Sequence, residues 1–356
     1  MALRPFLSMT DIWSMLVVFA LSAAPSALLC RVVITLRILD APTEARKLQK
    51  APVPTAGGLA VALSAALAFA VNAEFFRTGY NPMLLVAGLG AIAALAIGLA
   101  DDILKLRAIV KFGLIAAVAV GVSVLGLRTD AMGFWPGAVA ELPMALAIAG
   151  SALWLIVLIN AVNFMDGANG LAMGMACIAA LGLAACGAAT GAWHIAIAAA
   201  ALAGALAGFL VWNVQGLLFA GDAGALFSGA LLGGLGLEIV RLRPDLLFVP
   251  PTLMLPFLSD VILTLAWRAR RGKKLWVAHL DHSYQIAMKT GLKHSQVAGV
   301  HAVWALNAAL FALGATMIGG YAPVIAFAAL LAISTWVHWR IRRAGVANGL
   351  VGADLL

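Results

Sequence analysis

The feature that most constrains this chain is the recurrence of apolar runs of about 17 to 25 residues, long enough to cross the hydrocarbon core of a bilayer as an α-helix. They fall at 12–30, 56–73, 83–100, 109–127, 143–159, 171–190, 195–212, 223–240, 246–266, 296–318 and 321–339. Lipid offers no hydrogen bonds to the backbone, so segments of this length must satisfy their own amides as helices. With 64% of its 356 residues hydrophobic and 11% charged, the chain is far from the composition of a water-soluble domain. The expectation is an all-α polytopic membrane protein with about eleven transmembrane helices.

The first run is long and continues toward Arg31, unlike the short apolar stretch of a cleavable signal, and reads as a retained span. Cys30, Cys177 and Cys186 lie inside apolar runs with neither paired nor metal-ligand spacing, so they read as packing residues. Only two connections, 31–55 and 268–295, are long enough to hold structure, and most others read as tight turns. No separate soluble domain is expected, and residues 1–356 form one membrane domain. Abundant Ala and Gly suit close helix packing in lipid.

The net charge of +8 does not point to nucleic acid, because the basic residues are confined to connections and lack interleaved exposed aromatics. Numbering the connections alternately puts eighteen of the 23 Lys and Arg residues on one side. Arg4, Arg77, Arg128, Arg241 and Arg243 fall on the other. The positive-inside rule then makes the richer side cytoplasmic, with the amino terminus outside and the carboxyl terminus inside.

The 15 acidic residues divide by side. Glu74, Asp130, Glu141 and Asp245 read as solvated external groups, and Glu238, near an external end, as structural. Asp101, Asp102, Asp166, Asp222 and Asp260 come from four separate helix ends on the cytoplasmic face, where they can converge. Asp101-Asp102, followed by Lys105, Arg107 and Lys111, is either a solvated helix end or a repelling pair held ionised by bases or a divalent cation. Asn160, Asn163, Asp166 and Asn169 recur at intervals of three, which fits one face of a helix end or an Asn-rich turn. Gly221-Asp222-Ala223-Gly224 opens a span, where the acid is an ordinary N-cap or a magnesium ligand beside a helix end that attracts phosphate. His279 and His282 sit among lysines and arginines. Two histidines three apart can share a zinc ion, but no HExxH string occurs, and a phosphate-binding role suits the basic surroundings better. His194, His301 and His338 lack such company and read as interfacial or packing residues.

In order along the chain, these pieces resemble the polyprenyl-phosphate N-acetylhexosamine-1-phosphate transferase family. The residues that carry the likeness are Pro54 to Gly58, Asp101-Asp102 with Lys105 and Lys111, Asn160 to Leu171, Gly221 to Gly224, Pro256 with Asp260, and His279 to His282. Asn169 stands where many members have a second acid, and Asp281 where many have a histidine. With Tyr284 and Gln285 following, the histidine loop is most similar to the subgroup that initiates O-antigen with N-acetylated deoxyhexosamines.

The resemblance implies transfer of a sugar 1-phosphate from a UDP-sugar to undecaprenyl phosphate, with release of UMP, at the cytoplasmic face of a bacterial inner membrane. It implies Mg²⁺, replaceable by Mn²⁺, held by Asp102, Asp166 and Asp222, with Asp101 as base or organiser of the lipid phosphate. Asn160, Asn163, Asn169, Lys105, Lys111, Asp260, His279 and His282 would contact substrates. The assembly state stays open, a homodimer included. The rival reading, a multi-spanning transporter or lipid flippase, would place ionisable groups near the bilayer midplane and pair interrupted helices between two halves.

Overall fold

The structure is a computed structural model and describes residues 9–36, 39–40, 53–76, 81–274 and 279–350. Most of the connection 31–55, with its basic residues Arg37, Arg46, Lys47 and Lys50, therefore lies outside the described residues, as do Arg4 and Arg77.

Thirteen α-helices account for nearly all of the described structure. They are α1 (Met9–Leu36), α2 (Gly57–Phe76), α3 (Pro82–Leu104), α4 (Ala108–Val124), α5 (Met144–Met165), α6 (Leu171–Ala189) and α7 (Trp193–Asn213). The rest are α8 (Gly221–Leu242), α9 (Val249–Leu253), α10 (Leu255–Arg270), α11 (Ser283–Lys289), α12 (His294–Ile318) and α13 (Ala322–Ala347). Eight of them are long and apolar enough to cross a membrane, and a ninth span results if the helical pair 244–270 counts as one. All eleven apolar runs fall on helices, but α4 and the apolar part of α2 are shorter than the rest.

That helical pair is bent by 76°. Pro256 explains the break: it lacks the amide hydrogen that would continue the helix from α9, and its ring crowds the preceding turn. The apolar content of 246–266 hides the bend from a hydropathy reading.

Helix α8 is the axis of the bundle. Every residue from Ala223 to Val240 is buried, and α2, α3, α5, α6, α7 and α9 all pack against it. Its sequence, GALLGGLGLE over 229–238 in part, is apolar on every side, as a helix without a solvent or lipid face must be. Small residues set the spacing. A Cβ added to Gly58 of α2 would collide with the backbone of Gly224, and one added to Gly98 of α3 would lie 2.5 Å from Ala223 Cα. These contacts bring the first turn of α8 directly against α2 and α3.

Helix α3 shows how its ends are fixed by sequence. Asn81 Oδ1 accepts from the amides of Met83 (2.8 Å) and Leu84 (3.3 Å), and Pro82 follows at the first helical position. At the other end Lys105 takes a left-handed conformation, φ 52°, and donates its amide to Asp101 O at 2.9 Å. The same local rule explains a departure from the sequence reading, which expected a tight turn between α4 and α5. Strands 131–135 and 138–141 instead form a hairpin (β3 and β4, after the two-residue strands β1, 39–40, and β2, 53–54). Pro136-Gly137, with Gly137 at φ 81°, supplies its two-residue turn.

The end opposite Asp222 is held by Glu238. Its buried carboxylate accepts from Arg241 Nε (2.6 Å) and Nη2 (2.8 Å), with His194 Nε2 at 3.3 Å and Asn81 Nδ2 at 3.4 Å. This arrangement agrees with a structural role for Glu238 and gives His194 a partner. The three cysteines are buried and unpaired, as packing residues should be.

Candidate active site

The ends of α3, α4, α5 and α8 meet at one polar point. Lys111, in the first turn of α4, donates through Nζ to Asp101 Oδ2 (2.9 Å) and Asn163 Oδ1 (3.1 Å), and to Asp222 Oδ2. Asn163 Nδ2 closes the ring by donating to Asp222 Oδ1 at 2.9 Å. One ammonium thus joins two carboxylates separated by more than a hundred residues, and the amide of Asn163 fills the gap between cation and anion.

Asp102 is used differently. Its two oxygens accept from the amides of Asp222 (3.0 Å) and Ala223 (3.1 Å), so α3 supplies the carboxylate that caps α8. A helix amino terminus carries unsatisfied N–H groups and a partial positive charge, which a carboxylate satisfies well. Gly221, at φ 70°, makes room: a Cβ there would lie 2.5 Å from Asp102 Oδ2. On the other side, the chain from Pro54 to Gly58 pairs with the entry to α8 through Phe219 N to Pro54 O (2.9 Å), Gly57 N to Phe219 O (3.1 Å) and Gly58 N to Ala220 O (3.0 Å). Gly58→Ala is therefore expected to push α8 away from its partners. Overpacking of this kind costs about 1–3 kcal/mol, so melting temperature and turnover should fall together. Gly88→Ala, whose Cβ meets nothing within 4 Å, is the control and should change neither.

Asp166 follows the last turn of α5. Burial, and then the negative charges of Asp222 and Asp102, push its carboxyl up to about 7. Beyond it Asn169 N donates to His294 Nδ1 at 3.3 Å, and Gly170 N to Asn213 Oδ1 at 2.8 Å.

The second part of the site is the segment 279–289, held between α10 and α13. Asp260 of α10 is buried, and its oxygens accept from the amides of Ser283 (2.9 Å) and Tyr284 (3.3 Å) at the start of α11. His279 and His282 stack, with ring centroids 5.0 Å apart. Burial, with His282 and Arg268 nearby, brings His279 down to about 4, so at neutral pH it is an uncharged ring. Tyr284 joins the two parts: its hydroxyl donates to Phe164 O (3.2 Å), two residues before Asp166.

Comparison with known proteins shows the family of the chain. The profile of the family described as Glycosyl transferase family 4 matches residues 84–240, the stretch from α3 to α8. The phospho-N-acetylmuramoyl-pentapeptide-transferase of Mycolicibacterium vanbaalenii is 32% identical over 292 residues, covering 67% of this chain and 77% of that protein. The protein of the same name from Mycolicibacterium paratuberculosis is 31% identical over 278 residues, 67% of this chain and 74% of its own length. The decaprenyl-phosphate N-acetylglucosaminephosphotransferase of Mycolicibacterium smegmatis is 29% identical over 324 residues, 79% of this chain and 78% of its own. The chain belongs to the polyprenyl-phosphate hexosamine-1-phosphate transferase family.

In this family member the residues singled out from sequence fall into three groups. Asp101, Lys111, Asn163 and Asp222 meet directly, and Asp102 and Asp166 flank them. His279, His282 and Asp260 form the second part, where Asp260 organises the loop backbone. Three others stand apart from the ring of hydrogen bonds. Asn160 Nδ2 donates to Ile156 O of its own helix at 2.8 Å. Lys105 is exposed at the end of α3, and Asn169 packs its amide against Gly216.

The sequence reading missed a connection through α13. His338, expected to be an interfacial or packing residue, accepts from Arg342 Nε at 2.7 Å through Nε2, and its Nδ1 lies 3.0 Å from Ser283 Oγ. A histidine and arginine four apart at the basic end of a span was the available signal.

Proposed function

We propose that this protein transfers an N-acetylated hexosamine or deoxyhexosamine 1-phosphate from a UDP-sugar to undecaprenyl phosphate, releasing UMP, as the first step of an O-antigen-type surface polysaccharide. The observation that carries the reading is the Lys111 ammonium bridging Asp101, Asn163 and Asp222 where four helix ends meet. An oxygen of the lipid phosphate attacks the sugar-linked phosphorus of the UDP-sugar. The bond from that phosphorus to the bridging oxygen breaks, and the electron pair leaves with UMP. Little covalent work falls to the protein in such a transfer, so positioning and charge stabilisation dominate. Asp101 orients the lipid phosphate or accepts its proton, Lys111 offsets the charge that grows on the bridging oxygen, and Asn163 fixes Asp222. His279 donates a hydrogen bond to the nucleotide side as a neutral ring, and His282 shares that contact.

The donor set suits Mg²⁺. Among the described residues no group of three His, Cys, Asp or Glu side chains is placed to hold a metal alone. Mg²⁺ commonly binds through one or two carboxylates, waters and substrate phosphates rather than a protein cage. Asp222 and Asp166 would hold it, with Asp102 beside them, and Asp166 is a carboxyl short of positive charge. When bound, the ion would supply charge neutralisation for the diphosphate.

The reading also places the site at the cytoplasmic face of an inner membrane, with eleven spans, the amino terminus outside and the carboxyl terminus inside. Single cysteines at Lys274, in a background lacking the native three, should resist impermeant thiol reagents in intact cells. Ready labelling from outside would contradict that orientation. The direct test of the activity is UMP release by purified protein from UDP-sugar and undecaprenyl phosphate. Release should require both substrates, stop on chelation and return with Mg²⁺ or Mn²⁺. No release with any UDP-sugar would contradict the transferase reading, and full release in excess chelator would contradict the metal role.

A further inference from the structure

Five buried side-chain atoms among the described residues lack a hydrogen-bond partner, and three of them lie around the histidine loop. These are Arg268 Nε, Arg342 Nη1 and His282 Nδ1, the last facing Asp260 Oδ1 at 3.4 Å out of hydrogen-bond alignment. The two arginines matter most, because a guanidinium does not give up its proton and a buried cationic N–H left without an acceptor is costly. Both side chains are more than nine-tenths buried.

They are also joined. Asp281 accepts from Arg268 Nη1 through its carboxylate and from Arg342 Nη2 through its carbonyl, the latter at 2.8 Å. Arg342 is held further by Thr264 Oγ1 (3.0 Å) and by the ring of Trp267, 4.2 Å below its Cζ. Asp281 and Asp260 both lie near enough to attract the Arg342 charge, but Asp260 is turned to the backbone of α11 and to Thr264, so neither meets Arg342 Nη1 or Arg268 Nε.

The direction of the hydrogen bonds adds a third donor. Arg342 Nε can only donate, so His338 Nε2 is the unprotonated nitrogen of the ring. The proton of neutral His338 then sits on Nδ1 and is donated to Ser283 Oγ, 3.0 Å away. That leaves the hydrogen of the Ser283 hydroxyl for another acceptor. Two buried guanidinium N–H groups, from α10 and α13, thus lack an acceptor, and the Ser283 hydroxyl is tied to Arg342 through His338.

We propose that Arg342, with Arg268 and Ser283, forms a binding pocket for a phosphate group, so that the last helix of the bundle supplies a substrate contact. The proposal rests on the transferase reading for its ligand, which is the phosphate of the nucleotide or that of the polyprenyl acceptor. Binding is measured without turnover, on full-length protein in detergent, using UMP, undecaprenyl phosphate and inorganic pyrophosphate as separate probes. Arg342→Gln should weaken UMP or undecaprenyl phosphate binding by about ten- to a hundredfold, the range of a lost hydrogen bond to a charged group. Loss for UMP alone assigns the pocket to the nucleotide, and loss for the lipid alone assigns it to the acceptor. Arg342→Lys keeps the charge without the planar fork and should recover only part of the affinity. Arg340→Gln, which removes an arginine stacked on Trp336, is the control and should bind as wild type. If Arg342→Gln fails to fold, the lysine variant decides. A lowered melting temperature with all three affinities within twofold of wild type would make Arg342 purely structural and overturn the pocket. If wild type binds neither UMP nor lipid phosphate, the transferase reading falls, and the pyrophosphate comparison alone then decides the pocket. Absence of all binding overturns both.

Discussion

Replacing Lys111 with methionine is expected to lower turnover by at least about 10³-fold, the upper range for one preorganised electrostatic contact. Lys111 makes three such contacts, to Asp101, Asn163 and Asp222. Its removal leaves two carboxylates facing each other at a junction where little water reaches, with side-chain exposures of 14% and 29%. Breaking a buried ion pair from one side commonly costs about 3–5 kcal/mol, so melting temperature should drop as well. The partner substitution separates the two effects. In the double variant Lys111→Met with Asp222→Asn only Asp101 stays charged, so the repulsion is gone and part of the stability should return, while activity should not. Lys111→Arg keeps the charge but replaces a compact ammonium with a planar fork, and should fold yet remain slow.

Asp222→Asn carries the second large effect. The substitution keeps side-chain size, removes a charge beside the reacting phosphates and sets an amide hydrogen against Lys111 or Asn163. A loss of about 10² to 10³ in rate is expected, and the same order for Asp101→Asn. Asp102→Asn should differ in kind. Both oxygens of Asp102 accept amides of α8, so one half of the new side chain would present a donor to a donor. The donors facing Asp102 are fixed backbone amides, so Asp102→Asn should lose stability together with activity, whereas those facing Asp222 are side chains that can turn aside, so Asp222→Asn should lose mainly activity. Asp130, paired with Arg128 at 2.8 Å at the far end of the bundle, is the matched control. Asp130→Asn should leave turnover near wild type, and its failure to do so while the other variants stay active would undo the site assignment.

What could be read in advance follows from which forces are local. The apolar runs were legible because lipid demands about twenty apolar residues per helix whatever the tertiary fold. The convergence of Asp101, Asn163 and Asp222 was legible from alternation alone, since consecutive spans must reverse direction. Three things were not. The bend within 244–270 depends on a proline that the hydropathy of the run conceals. Whether Asp102 caps α8 or faces a cation depends on how closely α3 approaches Ala223, a distance set by Gly98. The link from Arg342 through His338 to Ser283 joins positions 55 and more residues apart, and nothing in the local pattern around His338 shows which helix packs beside it.

The proposed transfer breaks the bond between the sugar-linked phosphorus and the bridging oxygen, which leaves with UMP. A UDP-sugar carrying a phosphorus label in the sugar-linked phosphate alone tests it most directly, with the purified protein and undecaprenyl phosphate. The label should appear in the lipid product, as a polyprenyl diphosphate sugar, in amount equal to the UMP formed. Label left in the nucleotide fraction as UDP, with the sugar alone on the lipid, would contradict it.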